Sequence, residues 1–211
     1  MISADRGKRW ALAAAALAVV LGAASARGDI DGDRFESRAW RVRITAPRNW
    51  QLTEKTAYPS VLLRMVRRAP DGKMLLTAER LPPGTSAEDY AKKTAELMRT
   101  MRFSVRAPQL HSATGAYLVD SHRDRSFLRQ AFLVAGGIGY SLTLAAPDNR
   151  TRSQHLRAFD AALRSIQIIR EEELERQPAP EDEAGSEPPP PEPDPGAGSG
   201  ASGESGAGSA P

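Results

Sequence analysis

Histidine is the first candidate for catalytic chemistry, because the chain contains no cysteine and three histidines. His122 lies in the stretch DSHRD, where it could work with Asp120 or Ser121 as part of a hydrolase site or a metal pair. The stretch lacks the i, i+4 histidine spacing of a helical zinc motif and falls at the tip of a predicted hairpin. No Gly-x-Ser-x-Gly elbow occurs in the chain. The sequence therefore predicts no enzyme, no catalytic residue, no metal site and no cofactor, with a hydrolase using His122 as a remote alternative.

Positive charge is the second candidate for function. Residues 27–170 hold 25 Lys+Arg and 14 Asp+Glu, a net charge of +11, whereas residues 171–211 carry −10. A basic domain favours polyanionic partners. The alternative is that arginine is simply abundant, at 21 Arg to 4 Lys in this domain, as high-GC coding would give. Arg64, Arg67 and Arg68 form the densest cluster, and we interpret them either as an anion-binding surface or as charges that solvate a strand edge.

The stretch RVRITAPRNWQL, residues 41–52, is the third candidate. Pro47 ends strand pairing because it has a fixed φ and no N–H group. Asn49 tolerates the left-handed conformation that glycine would otherwise supply. Trp50 can then turn back onto the sheet and bury a large ring. We predict that Pro47, Asn49 and Trp50 form a structural corner and not a binding site.

The two ends of the chain are predicted to lie outside the folded domain. Residues 1–26 combine a basic start, an apolar run too short to span a membrane and a small-residue cleavage site at Ala24–Ala26. They are typical of a secretory signal peptide. Residues 171–211 are acidic and rich in Pro, Gly and Ser, which predicts disorder. The predicted domain is residues 27–170, with no transmembrane segment after cleavage.

Periodicity within this domain predicts the order β-β-β-α-β-β-β-β-α. Turn signals, such as Pro70-Asp71-Gly72 and Gly136-Gly137, join the strands as hairpins, so the sheet should be largely antiparallel. The predicted strands are residues 40–45, 60–68, 73–81, 103–112 (broken at Pro108), 115–121, 126–135 and 138–146. The first helix is capped by Thr85 or Ser86, and the second by Asp148, Thr151 or Ser153.

With these elements in order, the chain resembles the PsbP-like superfamily, which includes exported bacterial DcrB-like proteins, over about Ser37 to Ile169. The resemblance is carried by WRVRITAPRNWQL, PDGKMLLTAERL, SAEDYAKKTAELM and FLRQAFLVAGGIGYSLTLAAP. It implies an α+β fold: an α/β/α sandwich with a central, largely antiparallel sheet of six to seven strands and two main helices. Two features depart from the pattern, namely Asn49 at a position that is often glycine and the absence of the lipoprotein cysteine.

These observations lead to one expected function and one main alternative. The resemblance and the missing catalytic constellation favour an exported, non-enzymatic binding or assembly-accessory module of a bacterial cell envelope, periplasmic or secreted. The alternative is a binder of envelope polyanions or anionic lipids that is autoinhibited by its acidic tail. The partner is accordingly an envelope protein or a polyanion and not a nucleic acid, and the oligomeric state is left open.

The first prediction concerns export. If residues 1–26 are a signal peptide, N-terminal sequencing of the protein recovered from the extracytoplasmic fraction will begin at Arg27, because the cleavage site ends at Ala26. Recovery of chains that keep Met1 in a membrane fraction would contradict the prediction.

Overall fold

A computed structural model of the chain describes residues 28–53 and 60–176. The predicted signal peptide and residues 177–211 of the predicted tail lie outside the described residues, so both remain predictions. Within the described ranges, no helix is both long enough and apolar enough to cross a membrane.

Twelve strands and three helices make up this part of the chain. The strands are β1 (Asp29–Asp31), β2 (Arg34–Ser37), β3 (Val42–Thr45), β4 (Gln51–Thr53), β5 (Val61–Arg67), β6 (Gly72–Arg80), β7 (Ser104–Val105), β8 (Gln109–His111), β9 (Ala116–Arg123), β10 (Ser126–Ala135), β11 (Ile138–Ala146) and β12 (Gln167–Ile168). The helices are α1 (Ala87–Thr100), α2 (Asn149–Ser165) and α3 (Glu171–Arg176).

Eight strands form the large sheet, in the order β4-β5-β6-β11-β10-β9-β7 with β8 also paired to β9. All of its pairings are antiparallel, and the predicted hairpins β5–β6 and β10–β11 are both present. The α+β class and the antiparallel sheet are therefore confirmed. The sheet has eight strands where six to seven were expected, because β4 is only three residues long and the broken strand at Pro108 becomes β7 and β8.

The two long helices cover opposite faces of the large sheet. Neighbouring residues of a strand point to opposite faces, and Ala131 and Phe132 of β10 belong to different apolar clusters. Ala131 is buried with Phe159 of α2, whereas Phe132 packs with Tyr90 and Ala91 of α1. This places α1 on one face and α2 on the other, the layering that the family resemblance implied.

The strand predicted at residues 40–45 does not join the central sheet, which corrects the predicted topology. It is β3 of a second, four-stranded sheet with the order β1-β2-β3-β12. Its inward residues Val42 and Ile44 are fully buried in the same core cluster as Phe159 of α2. The sequence missed this sheet because β1, β2 and β12 are two to four residues long, too short to show a period of two.

Both helix starts are capped by one of the predicted candidates. Ser86 caps α1 in a reciprocal capping box, with Asp89 N donating to Ser86 Oγ at 3.1 Å. Asp148 caps α2, where its Oδ1 accepts from Thr151 N at 2.7 Å. These contacts fix where each helix begins relative to the sheet.

The first six residues of the predicted tail, 171–176, are among the described residues and form α3. The chain continues from β12 into α3, and the first carboxylates of the acidic tail contact arginines of the small sheet. Composition alone indicated disorder from this point, since the segment offers little apolar surface. Two ion pairs join residues 171–176 to the arginines of the small sheet.

The second prediction tests the cap of α1. Ser86→Ala should lower the free energy of unfolding by about 1 kcal/mol, because the first-turn N–H of Asp89 loses its acceptor. Thr85→Ala is the control, since Thr85 Oγ1 donates only to the Pro82 carbonyl at an exposed position. Chemical denaturation of both variants measures the difference, and an equal loss in the two would contradict the assignment of Ser86 as the cap.

Candidate functional site

The predicted corner is a tight turn in the structure. Trp50 N donates to the Pro47 carbonyl at 3.0 Å, and Asn49 has a φ of 67°. That φ is the left-handed conformation which asparagine tolerates better than most residues. The turn connects β3 of the small sheet to β4 of the large sheet and leaves Trp50 6% exposed.

The Trp50 ring is held by two segments that are distant in sequence. It packs edge-on against His155 of α2, with ring centroids 5.2 Å apart and an interplanar angle of 76°. Gly72 of the β5–β6 turn lies against both rings: a β-carbon built there would be 2.6 Å from His155 Nε2 and 2.9 Å from the Trp50 ring. His155 Nε2 also lies 3.1 Å from the Asp71 carbonyl. The corner, the turn and α2 are therefore fixed relative to one another.

His155 is a structural residue that the sequence analysis did not assign. It is fully buried, one helical turn before Phe159 on the inward face of α2. The spacing of four residues between His155, Phe159 and Leu163 was the available signal, because such residues share one helix face. Its polar side chain obscured the pattern.

A surface cleft of about 380 Å³ opens beside this contact. We call it the corner cleft. It is lined by Asn49, Trp50, Gln51, Val66, Arg67, Arg68 and Ala69. The structure thus brings together two features that the sequence treated separately, the corner and two of the three predicted arginines.

The predicted arginine cluster is divided by the strand register. Arg64 pairs across the sheet with Thr53 of β4 and does not line the corner cleft. Arg67 and Arg68 do line it, at the end of β5. Arg67 Nε donates to the Ala69 carbonyl at 3.1 Å, which anchors the guanidinium by one of its donors. Among the described residues, neither Arg67 nor Arg68 makes an ion pair.

A second pair of arginines was not singled out by the sequence. Arg41 pairs with Glu171 at 2.6 Å, and Arg43 pairs with Glu173 at 2.5 Å as well as with Glu36 at 2.6 Å. These arginines are thus already occupied by carboxylates, in contrast to the arginines of the corner cleft. No local pattern could have revealed the pairs with Glu171 and Glu173, because these glutamates lie 130 residues further along the chain.

The residues around His122 do not assemble into a hydrolase site. Ser121 points to the opposite face of β9 from Asp120 and His122, as alternation along a strand requires. Asp120 is instead occupied by Arg129 at 3.1 Å and Arg152 at 3.2 Å.

The side chains of these neighbours have structural contacts. Ser121 is buried and its hydroxyl lies 3.7 Å from Met98 Sδ. His122 is exposed and stacks on Phe127 with a centroid distance of 5.6 Å. Within residues 28–53 and 60–176, no group of three or more His, Asp or Glu side chains is arranged to hold a metal ion.

Two of three comparisons with known proteins returned no match: neither a protein-family model nor a curated protein is similar to this chain. Solved structures are similar. PsbP (CyanoP) of the cyanobacterium Synechocystis sp. PCC 6803 is 12% identical, with 72% of this chain and 99% of that chain covered and a TM-score of 0.48. The Ran-binding protein Mog1p of Saccharomyces cerevisiae is 6% identical, covering 67% of this chain and 97% of its own, at a TM-score of 0.48. LpqN of Mycobacterium tuberculosis, involved in cell envelope biogenesis, is 10% identical, covering 61% and 83%, at 0.41.

These similarities concern the fold alone, because the identities lie between 6% and 12%. The architecture of the structure itself agrees with the expected α+β sandwich, since two helices cover opposite faces of a largely antiparallel sheet. What each of these proteins binds or assembles with belongs to that protein.

The third prediction separates the structural role of the corner from binding. Trp50→Ala should lower the free energy of unfolding by about 3–5 kcal/mol, the usual range for removing a buried large aromatic ring. Arg68→Gln, which changes an exposed side chain of the same cleft, should stay within about 0.5 kcal/mol of the wild type. Denaturant unfolding measures both. A Trp50→Ala protein of unchanged stability would show that the ring does not hold the corner.

Proposed function

We propose that the chain is an exported, non-enzymatic binding module whose corner cleft takes an anionic group of its ligand. The observation that carries the proposal is the composition of the cleft lining: two arginines, two amides and no carboxylate. A positively charged cleft whose lining holds no carboxylate attracts anions.

The geometry suits a carboxylate or a phosphate group. A guanidinium carries five N–H donors and binds planar or tetrahedral oxyanions through two parallel hydrogen bonds. Arg67 Nε donates to the Ala69 carbonyl, so the two terminal nitrogens of the guanidinium remain available to a ligand. Asn49 and Gln51 are exposed in the same lining and can add neutral donors.

The contact below the cleft favours binding without rearrangement. Trp50 packs on His155 and Gly72, and Gly72 pairs across the sheet with Arg67 at the end of β5. A site that is already ordered spends less of its interaction energy on fixing side chains and loops.

The class of ligand follows from the charge of the domain and from its predicted compartment. Residues 27–170 carry a net charge of +11, which raises the local concentration of anions around the domain. For an exported protein the abundant polyanions are lipid headgroups, lipopolysaccharide and other envelope polymers. We therefore propose an envelope polyanion, recognised through its phosphate or carboxylate groups.

The fourth prediction tests the cleft by charge-matched variants on one strand. Arg67→Gln and Arg68→Gln should each weaken binding to a heparin or lipopolysaccharide column by about tenfold, the loss expected for one charged hydrogen bond. Both variants should elute at lower salt than the wild type. Arg64→Gln is the control, because it removes the same charge from the same strand but lies outside the cleft lining.

The comparison is interpretable because none of the three arginines is part of the core, so thermal unfolding should be unchanged in every variant. If Arg64→Gln lowers the elution salt as much as Arg67→Gln and Arg68→Gln, binding depends on net charge alone and the cleft has no special role. If none of the variants changes elution, the proposal fails altogether.

A further inference from the structure

The outward face of the small sheet carries a row of polar side chains centred on Arg43. In the antiparallel register, Glu36 of β2 lies directly opposite Arg43, and Gln167 of β12 lies opposite it on the other side. Asp29 of β1 continues the row beyond Glu36. Arg43 is only 14% exposed, so its charge is partly removed from water and needs compensation.

The carboxylates of Glu36 and Glu173 provide that compensation, and they come from segments far apart in the chain. Glu36 Oε2 accepts from Arg43 Nε at 2.6 Å, and Glu173 Oε1 accepts from Arg43 Nη1 at 2.5 Å. Hydrogen bonds that Arg43 donates to Glu36 and, second in effect, to Glu173 raise the pKa of Arg43 above its usual value. The contact with Arg43 lowers the pKa of Glu36. Glu36 alone would satisfy one side of the guanidinium, and Glu173 occupies the other.

Arg41, two residues before Arg43, makes a similar contact with the same acidic segment. Arg41 Nη2 donates to Glu171 Oε1 at 2.6 Å. The backbone brings the two segments together, because Ile169 N donates to the Arg41 carbonyl at 2.9 Å immediately before α3 begins. Glu171 and Glu173 therefore contact Arg41 and Arg43 in the same order as the arginines follow each other.

Simple proximity of the chain does not account for this pattern. Glu172 lies between the two paired glutamates, is exposed, and has no ion pair among the described residues. If the acidic segment were held only by its general charge, all three carboxylates would be equivalent. Instead, only Glu171 and Glu173 are paired, and their positions match those of Arg41 and Arg43. The backbone of Arg41 has a positive φ of 49°.

We propose that Arg41 and Arg43 form a docking surface for acidic segments with two glutamates in a Glu-x-Glu spacing, and that residues 171–176 of the same chain occupy it. An external acidic peptide must then compete with this internal occupant. The surface is distinct from the corner cleft, so the inference stands independently of the proposed function.

The ion pairs of residues 171–176 are weak enough for this segment to dissociate and be replaced by an external acidic peptide. Ion pairs made by exposed carboxylates are individually weak and are screened by salt. Covalent attachment offsets this weakness, since a tethered segment acts at an effective concentration that reaches about the millimolar range. Glu171 is 70% exposed and Glu173 45% exposed, so both can leave without opening the core.

The test uses full-length protein and a fluorescein-labelled oligoglutamate peptide as the competing ligand. Glu171→Gln and Glu173→Gln should each strengthen peptide binding about two- to fivefold, because each removes one internal ion pair. Glu172→Gln is the matched control: it removes the same charge from the same helix but no ion pair, and its affinity should stay at the wild-type value. Fluorescence anisotropy at low salt measures the dissociation constants.

Two further measurements keep the outcomes distinct. Amide hydrogen exchange in residues 171–176 should be faster in Glu171→Gln and Glu173→Gln than in Glu172→Gln, whether or not a peptide is present. Arg41→Gln should weaken peptide binding more strongly than Arg67→Gln, which alters only the separate corner cleft.

Equal affinities and equal exchange in the three glutamate variants would overturn the proposal. Peptide binding that follows Arg67 and not Arg41 would also overturn it, while leaving the anionic site of the corner cleft in place. Conversely, loss of polyanion retention in the cleft variants bears only on that cleft, because Arg41 and Arg43 are unchanged in them.

Discussion

The contact between Trp50, Gly72 and His155 is the constraint on which the candidate site depends. It joins the corner after β3, the β5–β6 turn and α2, three segments far apart in the chain. The geometry is specific: the rings meet edge-on at 5.2 Å, and a β-carbon at Gly72 would collide with both. Such a contact contributes ring burial and an aromatic pairing of about 0.5–1.5 kcal/mol. The corner cleft has a defined shape because its two walls rest on this one packed unit.

The arginines of the small sheet and those of the corner cleft have different surroundings. On the outward face of the small sheet, Arg43 is shared by Glu36 and Glu173, and Arg41 is paired with Glu171. In the corner cleft, Arg67 and Arg68 have no carboxylate beside them in the lining. The first surface is therefore closed by the protein's own acidic segment, whereas the second remains open to an external anion. This difference supports placing ligand binding at the cleft and competition by acidic segments at the small sheet.

Local chemistry made part of this arrangement predictable. The proline, asparagine and tryptophan of the corner indicated a left-handed turn, and Asn49 has a φ of 67°. Pro-Asp-Gly indicated the β5–β6 hairpin. The rest depends on long-range partners: Arg64 is separated from the cleft by its register opposite Thr53, and Glu173 meets Arg43 across 130 residues. The short strands of the small sheet also escaped detection, since their positions are set by pairing and not by a period in the sequence.

The most direct test of the central claim is a map of amide chemical shifts in full-length protein titrated with inorganic phosphate and then with a heparin fragment. The account predicts that the largest changes fall on residues 49–51 and 66–69, which line the corner cleft, and that Arg64 changes little. Changes confined to the surroundings of Arg41 and Arg43, or spread evenly over the basic surface, would contradict it.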